Sequence, residues 1–240
     1  YTTTFSTYPE MLSHHERLSK ESVWRRCKVS ELHVEPLDGT SPLCGNPAAF
    51  ATGTSQDAVT DTVENLGLAL QVDGVLYPLR STAYKTLLDR AKIGGTALPK
   101  LSRKELAGVL NACLAVHNNE ALLLIREEKV SAAHSGDEKD YSVLPMDELL
   151  TALEQKMDAR FPGYHFESGY RDHSFTSGSW TFPAQKDDWN IGAWEMVVHD
   201  LAVLCGLHVP EAKLQTFSKN GSTYLSKRFD RSGDKRIHFA

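Results

Sequence analysis

Apolar positions recur with helical spacing from residue 56 onward. Residues 56–66 place four apolar side chains on one side, which predicts a helix. Similar patterns predict helices over residues 82–91, with Ser81 as the N-terminal cap, and over residues 103–116. These segments are amphipathic, so each is expected to bury one face against a core.

Polar residues mark where several helices begin and end. Ser102 and Glu105 have the spacing of a capping box, in which each side chain satisfies a backbone N–H group of the first turn. Pro145 suits the opening of a further helix. Asn190 is expected to cap the last helix, and Gly206 to end it in the left-handed conformation. The predicted buried face of this last helix consists of Trp194, Val197, Val198, Leu201 and Leu204.

Alternating patterns and turn residues predict antiparallel strands among the helices. Asp73-Gly74 predicts a turn into a short strand, and Asn220-Gly221 is the strongest hairpin signal of the chain. Further strands are predicted at residues 121–126, 129–134, 166–170, 175–182, 213–217 and 223–229. Helices combined with such strands predict an α+β fold.

The first 53 residues show no such periodicity. Residues 1–35 mix polar and charged types, and residues 36–53 hold three prolines and three glycines, which predicts an irregular loop. A basic cluster around an aromatic residue is formed by Trp24, Arg25, Arg26 and Lys28. Such a cluster can bind phosphates while the indole stacks on a base. Runs of this kind also occur on surface helices that bind no ligand.

Composition narrows the class of protein. Hydrophobic residues make up 41% and charged residues 24%, which is typical of a folded globular chain and not of a disordered one. The longest apolar run, residues 121–125, is too short to cross a bilayer, so no membrane association is expected. A net charge of −5 argues against a broadly basic nucleic-acid-binding surface. The four cysteines form no C-x-x-C pair, which disfavours a zinc site and favours a reducing, cytoplasmic compartment.

Three separated motifs in the last quarter of the chain agree in order and spacing with a known family. They are Asp187 to Glu195, the turn Gly206-Leu207-His208-Val209-Pro210, and Lys227-Arg228-Phe229-Asp230-Arg231. In this order they resemble the small lobe of HipA-type serine/threonine kinases. The resemblance implies that Glu195 lies on the helix that flanks the nucleotide site. It also places Arg228 and Asp230 near the start of the segment that joins the two kinase lobes.

The kinase resemblance is incomplete. The family's phosphate-binding lysine is expected just before Phe182-Pro183, where this chain has Thr181, and Ser177-Gly178-Ser179 is a poor substitute for the glycine-rich loop. The catalytic aspartate and the magnesium ligands would come after Ala240. The chain starts at Tyr1 and stops in a strand-like run, which predicts a fragment. ATP and magnesium are therefore expected only for a complete kinase, and no cofactor is expected for this chain.

A second resemblance covers residues 30–186. Residues 114–126 and 130–145, together with Phe166-Glu167-Ser168-Gly169-Tyr170 and Trp180-Thr181-Phe182-Pro183, are similar to a phage- and plasmid-associated family. That family is catalogued as domain of unknown function 932. It implies association with a mobile element and supplies no catalytic residue. The two resemblances meet near residues 182–188, which predicts a fusion, a recombination product or an assembly artefact.

Before the kinase-like segment, polar residues suggest two further sites. Asp172-His173 beside Ser174 invites a nucleophilic triad. Adjacent residues of a strand point to opposite sides, so a polar turn is the favoured interpretation. His165 and Glu167 share a strand face, but no third metal ligand is visible. Neither a catalytic residue nor a metal site is predicted. The complete polar set is His134, Asp140, His165, Glu167, Asp172 and His173.

The sequence thus predicts a polar segment over residues 1–35, an α+β domain over 36–183 and an incomplete kinase-like small lobe over 184–240. The first functional hypothesis is a non-enzymatic phage- or plasmid-derived protein that contacts DNA or an antitoxin-like protein. The alternative is a fragment of a HipA-type toxin kinase, whose complete form would phosphorylate protein serines with ATP and magnesium.

Overall fold

The fold combines helices with small antiparallel sheets. A computed structural model describes residues 2–161, 163–172, 175–181, 191–216, 222–226, 231–232 and 235–236. Its helices and sheets confirm the α+β class that the sequence predicts. None of the helices in these ranges combines the length and the apolar character that crossing a membrane requires.

Helices and strands are numbered along the chain. The helices are α1 (Tyr8–Glu21), α2 (Gln56–Asn65), α3 (Ser81–Ala91), α4 (Arg103–Leu114), α5 (Met146–Arg160) and α6 (Ile191–Leu204). The strands are β1 (Thr3–Phe5), β2 (Val23–Lys28), β3 (His33–Pro36), β4 (Leu68–Val72), β5 (Val75–Pro78), β6 (Glu120–Arg126), β7 (Lys129–Ser135), β8 (His165–Arg171), β9 (Thr176–Thr181), β10 (Ala212–Thr216), β11 (Ser222–Ser226), β12 (Arg231–Ser232) and β13 (Lys235–Arg236).

The chain divides into two compact units. The first unit combines Tyr1–Ser19 with Leu144–Ala240, and the second unit is Lys20–Val143. Strand β1 pairs with β8, which joins the beginning of the chain to its later part. The boundaries predicted from composition and resemblance, at residues 35/36 and 183/184, stay a prediction.

The second unit contains two three-stranded antiparallel sheets, ordered β2-β6-β7 and β3-β4-β5. Its main core forms where α3 and α4 pack against these sheets. Leu87 of α3, Leu110 of α4 and Leu123 of β6 are all fully buried in this core. Burying one such leucine contributes about 2 kcal/mol to folding. This burial therefore fixes which side of each sheet faces the core.

Helix α3 protects the free edge of β7 with two threonine hydroxyls. Thr82 Oγ1 donates to the carbonyl of Ser131 at 3.1 Å, and Thr86 Oγ1 accepts from the backbone N–H of Ala133 at 2.9 Å. Four helical residues rise about 6 Å and two strand residues about 6.6 Å. Two threonines that are four positions apart on the helix can therefore bond backbone groups that are two positions apart on the strand. These bonds occupy the edge of β7, so another strand cannot pair there.

The first unit is built on the β1-β8-β9 sheet and the helices α1, α5 and α6. Phe5, Tyr8, Met11 and Leu150 form one buried cluster of this unit. Met157, Phe161 and Val197 form another, beside which the rings of Phe161 and Trp194 stack with centroids 4.6 Å apart. Strands β10 and β11 form a hairpin that packs against α6, and β12 pairs with β13.

Several local predictions are confirmed. Ser102 and Glu105 form the predicted capping box of α4. Gly206 has a φ of 73°, the left-handed value expected after α6. The β4–β5 pair lies at the predicted Asp73-Gly74 turn, and β6–β7 is formed by the two strands predicted at residues 121–126 and 129–134. Asn190 and Asn220-Gly221 lie outside the described residues.

Three predictions need correction. Ser81 is the first helical residue of α3, and Arg80 holds the cap position with an extended backbone whose N–H donates to the carbonyl of Val130 in β7. Val198 and Leu204 are 63% and 50% exposed, so the buried side of α6 is narrower than predicted. Residues 2–35 are largely regular, since β1, α1, β2 and most of β3 lie within them.

Candidate functional site

Strand β2 presents its residues alternately to two faces of the β2-β6-β7 sheet. Cys27 packs against the main core, so Arg25, two residues away, points to that same side. Trp24, Arg26 and Lys28 lie on the opposite side, which we call the outer face. The basic cluster therefore lies on an edge strand and not on a surface helix. Its positive charges are divided between the two faces of the sheet.

Cross-strand partners extend the outer face over β6 and β7. Trp24 lies opposite Leu124, and Arg26 lies opposite Leu122. Leu122 in turn lies opposite His134. Directly opposed residues of antiparallel strands share a face, so His134 belongs to the outer face together with Trp24 and Arg26.

Three aromatic rings meet on the outer face. The rings of His134 and Tyr141 stack in parallel, with centroids 3.7 Å apart and planes 5° apart. The Trp24 indole lies 6.1 Å from each of them. Burial lowers the pKa of His134, and the charge of Arg90 lowers it further, so the neutral imidazole is favoured. Burial raises the pKa of the Tyr141 hydroxyl against the opposing effect of Arg126. The rings thus form an uncharged surface with arginines nearby.

Arg26 anchors the segment that carries Tyr141. Its guanidinium donates to the carbonyl of Gly136 and, at 3.0 Å, to Oε1 of Glu138. The carboxylate of Glu120 lies 3.6 Å from the same guanidinium. The side chains of Arg26 and Glu138 are 44% and 80% exposed, and an ion pair in that environment contributes about 0–1 kcal/mol. The pairing of Arg26 with Glu138 is therefore weak.

The other cations of the cluster also have carboxylate partners. Arg25 forms an ion pair with Asp73 in the β4–β5 turn, and Lys28 Nζ lies 3.9 Å from Glu31. Burial raises the pKa of the Cys27 thiol to about 11, with Asp73 adding to the effect. The positive charge of β2 is thus locally balanced, and the aromatic rings distinguish the outer face more than its net charge does.

The residues singled out by the kinase resemblance do not assemble into a described site. Glu195 lies on α6 with its side chain exposed. Arg228 and Asp230 lie outside the described residues. The predicted nucleotide-site role of these residues stays a prediction.

The stretch compared with a phosphate-binding loop forms strand β9. A Cβ at Gly178 would lie 2.5 Å from the ring of Trp180, so close ring packing accounts for this glycine. Thr181, where the family's lysine is expected, donates its hydroxyl proton to Oε1 of Glu167 at 2.7 Å. These contacts are structural, and Thr181 itself supplies no cation where the resemblance expects a lysine.

Asp172, another of the polar candidates, builds local structure. Asp172 Oδ1 accepts from the backbone N–H of Phe175 at 2.8 Å, which fixes the β8–β9 turn. His173 and Ser174 lie outside the described residues. His165 and Glu167 were expected to share a strand face. The β8–β9 register shifts between Phe166 and Ser168, so the regular alternation behind that expectation is interrupted at Glu167. Among the described residues, no three His, Cys, Asp or Glu side chains are grouped closely enough to hold a metal ion.

Tyr141 is a site residue that the sequence pattern does not reveal. It follows β7 in an irregular segment, and its position depends on the contacts of Arg26 with Gly136 and Glu138. Its ring partner Trp24 comes from a distant part of the chain. Only the β2–β6–β7 register brings these rings together, and no local signal encodes that register.

The chain has no match among protein-family models, curated proteins or solved structures.

Proposed function

We propose that this chain is a non-enzymatic binding protein of the phage or plasmid type and that its outer face binds single-stranded nucleic acid. The mobile-element part of the proposal is supported by the resemblance of residues 30–186. The nucleic-acid part is supported by the geometry of the outer face. The alternative ligand for the outer face is an antitoxin-like protein.

The parallel stack of His134 and Tyr141 supports the nucleic-acid proposal most directly. On this face the ring of Tyr141 already stacks on that of His134, with the two ring centroids 3.7 Å apart. Nucleobases stack on aromatic side chains in the same way. Trp24 offers a second ring beside the first. Antiparallel sheets that display aromatic rings on one face commonly bind single-stranded bases, because unstacked bases expose their flat surfaces.

Cations lie on the same face or act electrostatically on its rings, although those of β2 are paired with carboxylates. Arg26 and Lys28 follow Trp24 at alternate positions of β2, and the charges of Arg90 and Arg126 act on the pKa values of His134 and Tyr141. A phosphate that replaces Glu138 on Arg26 would keep the guanidinium paired. Because stacking accepts every base, we expect binding with little sequence preference and a strong dependence on salt.

The aromatic part of the proposal is tested with a fluorescently labelled single-stranded oligonucleotide. Its anisotropy is followed while the chain is titrated in. Trp24→Ala should weaken binding about tenfold or more, because one stacked base contributes about 1–3 kcal/mol. Phe175→Ala, which removes a ring that is 57% exposed in the β8–β9 turn, is the matched control and should leave the affinity unchanged. Equal affinities of the two variants would argue against the outer face.

A second proposal, a fragment of a HipA-type kinase, is supported by one arrangement. Helix α6 is followed by the antiparallel β10–β11 hairpin, which packs against it in the order that the resemblance implies. Thermal unfolding with and without ATP and magnesium tests this proposal. A saturable rise in the unfolding temperature favours it, and no rise is expected if Thr181 cannot replace the phosphate-binding lysine.

A further inference from the structure

The two three-stranded sheets of the second unit have four edges, and other groups occupy three of them. Helix α3 closes the edge of β7. The side-chain amide of Asn111 closes the edge of β3, because it accepts from the N–H of Val34 at 2.7 Å and donates to its carbonyl at 2.9 Å. At β5, the carbonyl of Leu76 accepts from the backbone N–H of Ala51 at 2.8 Å. Among the described residues of this unit, the edge of β2 is the exception.

The open backbone groups of β2 belong to Trp24 and Arg26. The carbonyl of Glu120 in β6 accepts from the N–H of Gly136, so the backbone groups of Glu120 point toward β7. Successive residues of a strand direct these groups to alternate sides, so the next residue of β6 points toward β2 and its register partner Cys27. By the same alternation, Trp24 and Arg26 point away from β6. Within the described parts of the chain, their N–H and carbonyl groups form no hydrogen bond.

The edge of β2 is exposed to solvent. Val23 is 57% exposed, and the side chains of Arg26 and Lys28 are 44% and 61% exposed. Open, exposed backbone groups of this kind can pair with a further strand. The cations of β2 restrict which strand fits, because like charges directly opposite each other destabilise a pair.

We propose that β2 pairs antiparallel with β2 of a second copy of this chain, with Trp24 on the two-fold axis. Four centres allow a symmetric pairing of three or more β2 residues, namely Trp24, Arg25, Arg26 and Cys27. A centre at Arg25 or Arg26 places that arginine directly opposite itself. A centre at Cys27 places Arg26 opposite Lys28. Each of these three registers therefore sets two cations against each other.

The register centred on Trp24 avoids this repulsion. It places Arg25 opposite Val23 of the second copy and Arg26 opposite Ser22. The two Trp24 residues exchange their open backbone hydrogen bonds, and their indoles meet on the outer face as a cross-strand aromatic pair. The second copy thus adds its own ring to the outer face. The pairing needs no ligand, so this inference does not depend on nucleic-acid binding.

Sedimentation velocity of the full chain, without nucleic acid, tests the pairing. A single strand pair buries little surface, so a weak dimer is expected, with the mass rising toward twice that of the chain between about 10 μM and about 1 mM. Trp24→Lys sets two lysines opposite each other and should stay monomeric, whereas Phe175→Lys, the same kind of change at an exposed ring, should still associate. A parent chain that is monomeric over this range would leave the edge to a strand of another protein and overturn the proposal. Unchanged association of Trp24→Lys would overturn it too.

Cysteine cross-linking tests the register. Facing Cα atoms of a hydrogen-bonded antiparallel pair are about 5.5 Å apart, which a disulfide can span. Oxidised glutathione should therefore link two copies of Trp24→Cys. Arg26→Cys should link no more than the parent chain, whose four free cysteines set the baseline. Equal linking of the two variants would contradict the proposal. Circular dichroism checks folding, and if Trp24→Lys does not fold, the two cysteine variants decide.

Discussion

Arg103 places its guanidinium directly against the backbone of Gly67. A Cβ atom at residue 67 would lie 1.9 Å from Nη1 of Arg103. The same guanidinium donates to the carbonyl of Leu37 at 3.1 Å and to that of Val63 near the end of α2. Gly67 itself has a φ of 71°, in the left-handed region. Glycine is therefore required twice at this position, for the backbone conformation and for the space.

We predict that Gly67→Ala lowers the free energy of unfolding by about 2–4 kcal/mol, since backbone strain adds to the displacement of Arg103. Gly74→Ala is the matched control. Gly74 has a similar φ of 79°, but nothing lies within 4 Å of the position of its Cβ. It should cost about 1–2 kcal/mol. Urea unfolding measures both, and equal losses would show that the Arg103 contact contributes nothing.

The Thr86 hydroxyl satisfies a strand group that has no strand partner. Thr86→Val keeps the shape but leaves the Ala133 N–H unpaired, and we predict a loss of about 1–3 kcal/mol. Amide exchange at Ala133 should accelerate together with the fall in the urea midpoint. Thr60→Val makes the same change at an exposed position of α2 and should be nearly neutral. An equal loss of stability in the two variants would contradict the proposal that α3 protects the edge of β7.

The carboxylate of Glu128 predicts a specific pH dependence. The backbone N–H of Ser55, followed by its hydroxyl, donates to this carboxylate and holds the pKa of Glu128 below its usual value. The stabilisation is therefore complete above the unfolded-state pKa and is lost as the pH falls through the lower folded-state pKa. Glu128→Gln should be less stable than the parent chain at pH 7, by less than about 1 kcal/mol because the group is exposed. The urea midpoints of the parent chain and of Glu128→Gln should converge as the pH is lowered. A difference between the two midpoints that does not change with pH would contradict this prediction.

Local signals predicted much of the regular structure. The Ser102–Glu105 capping box and the Asp73-Gly74 turn depend on residues a few positions apart, so their chemistry can be recognised in the sequence. The β6–β7 turn was predicted from its flanking strands. There, Glu127 and Glu128 adopt positive φ values of 47° and 65°, which glutamates seldom do.

The first 35 residues and the candidate site could not be predicted in this way. The buried positions of helix α1 are Tyr8, Met11, His15 and Leu18, so a histidine interrupts its apolar stripe. Arg25 and Arg26 form one basic run in the sequence, yet pleating sends them to opposite faces. The contact of Trp24 with Tyr141 depends on strand register between distant segments, which tertiary packing sets.

The proposed role of the outer face is tested most directly by comparing Arg26→Gln with Arg25→Gln. Both variants remove one positive charge from β2, but only Arg26 lies on the outer face. Affinity for a labelled single-stranded oligonucleotide is measured across a salt series. We predict that Arg26→Gln weakens binding and reduces the slope of log affinity against log salt by about one, whereas Arg25→Gln changes neither. Equal effects of the two variants, or no salt-dependent binding by the parent chain, would contradict the proposal.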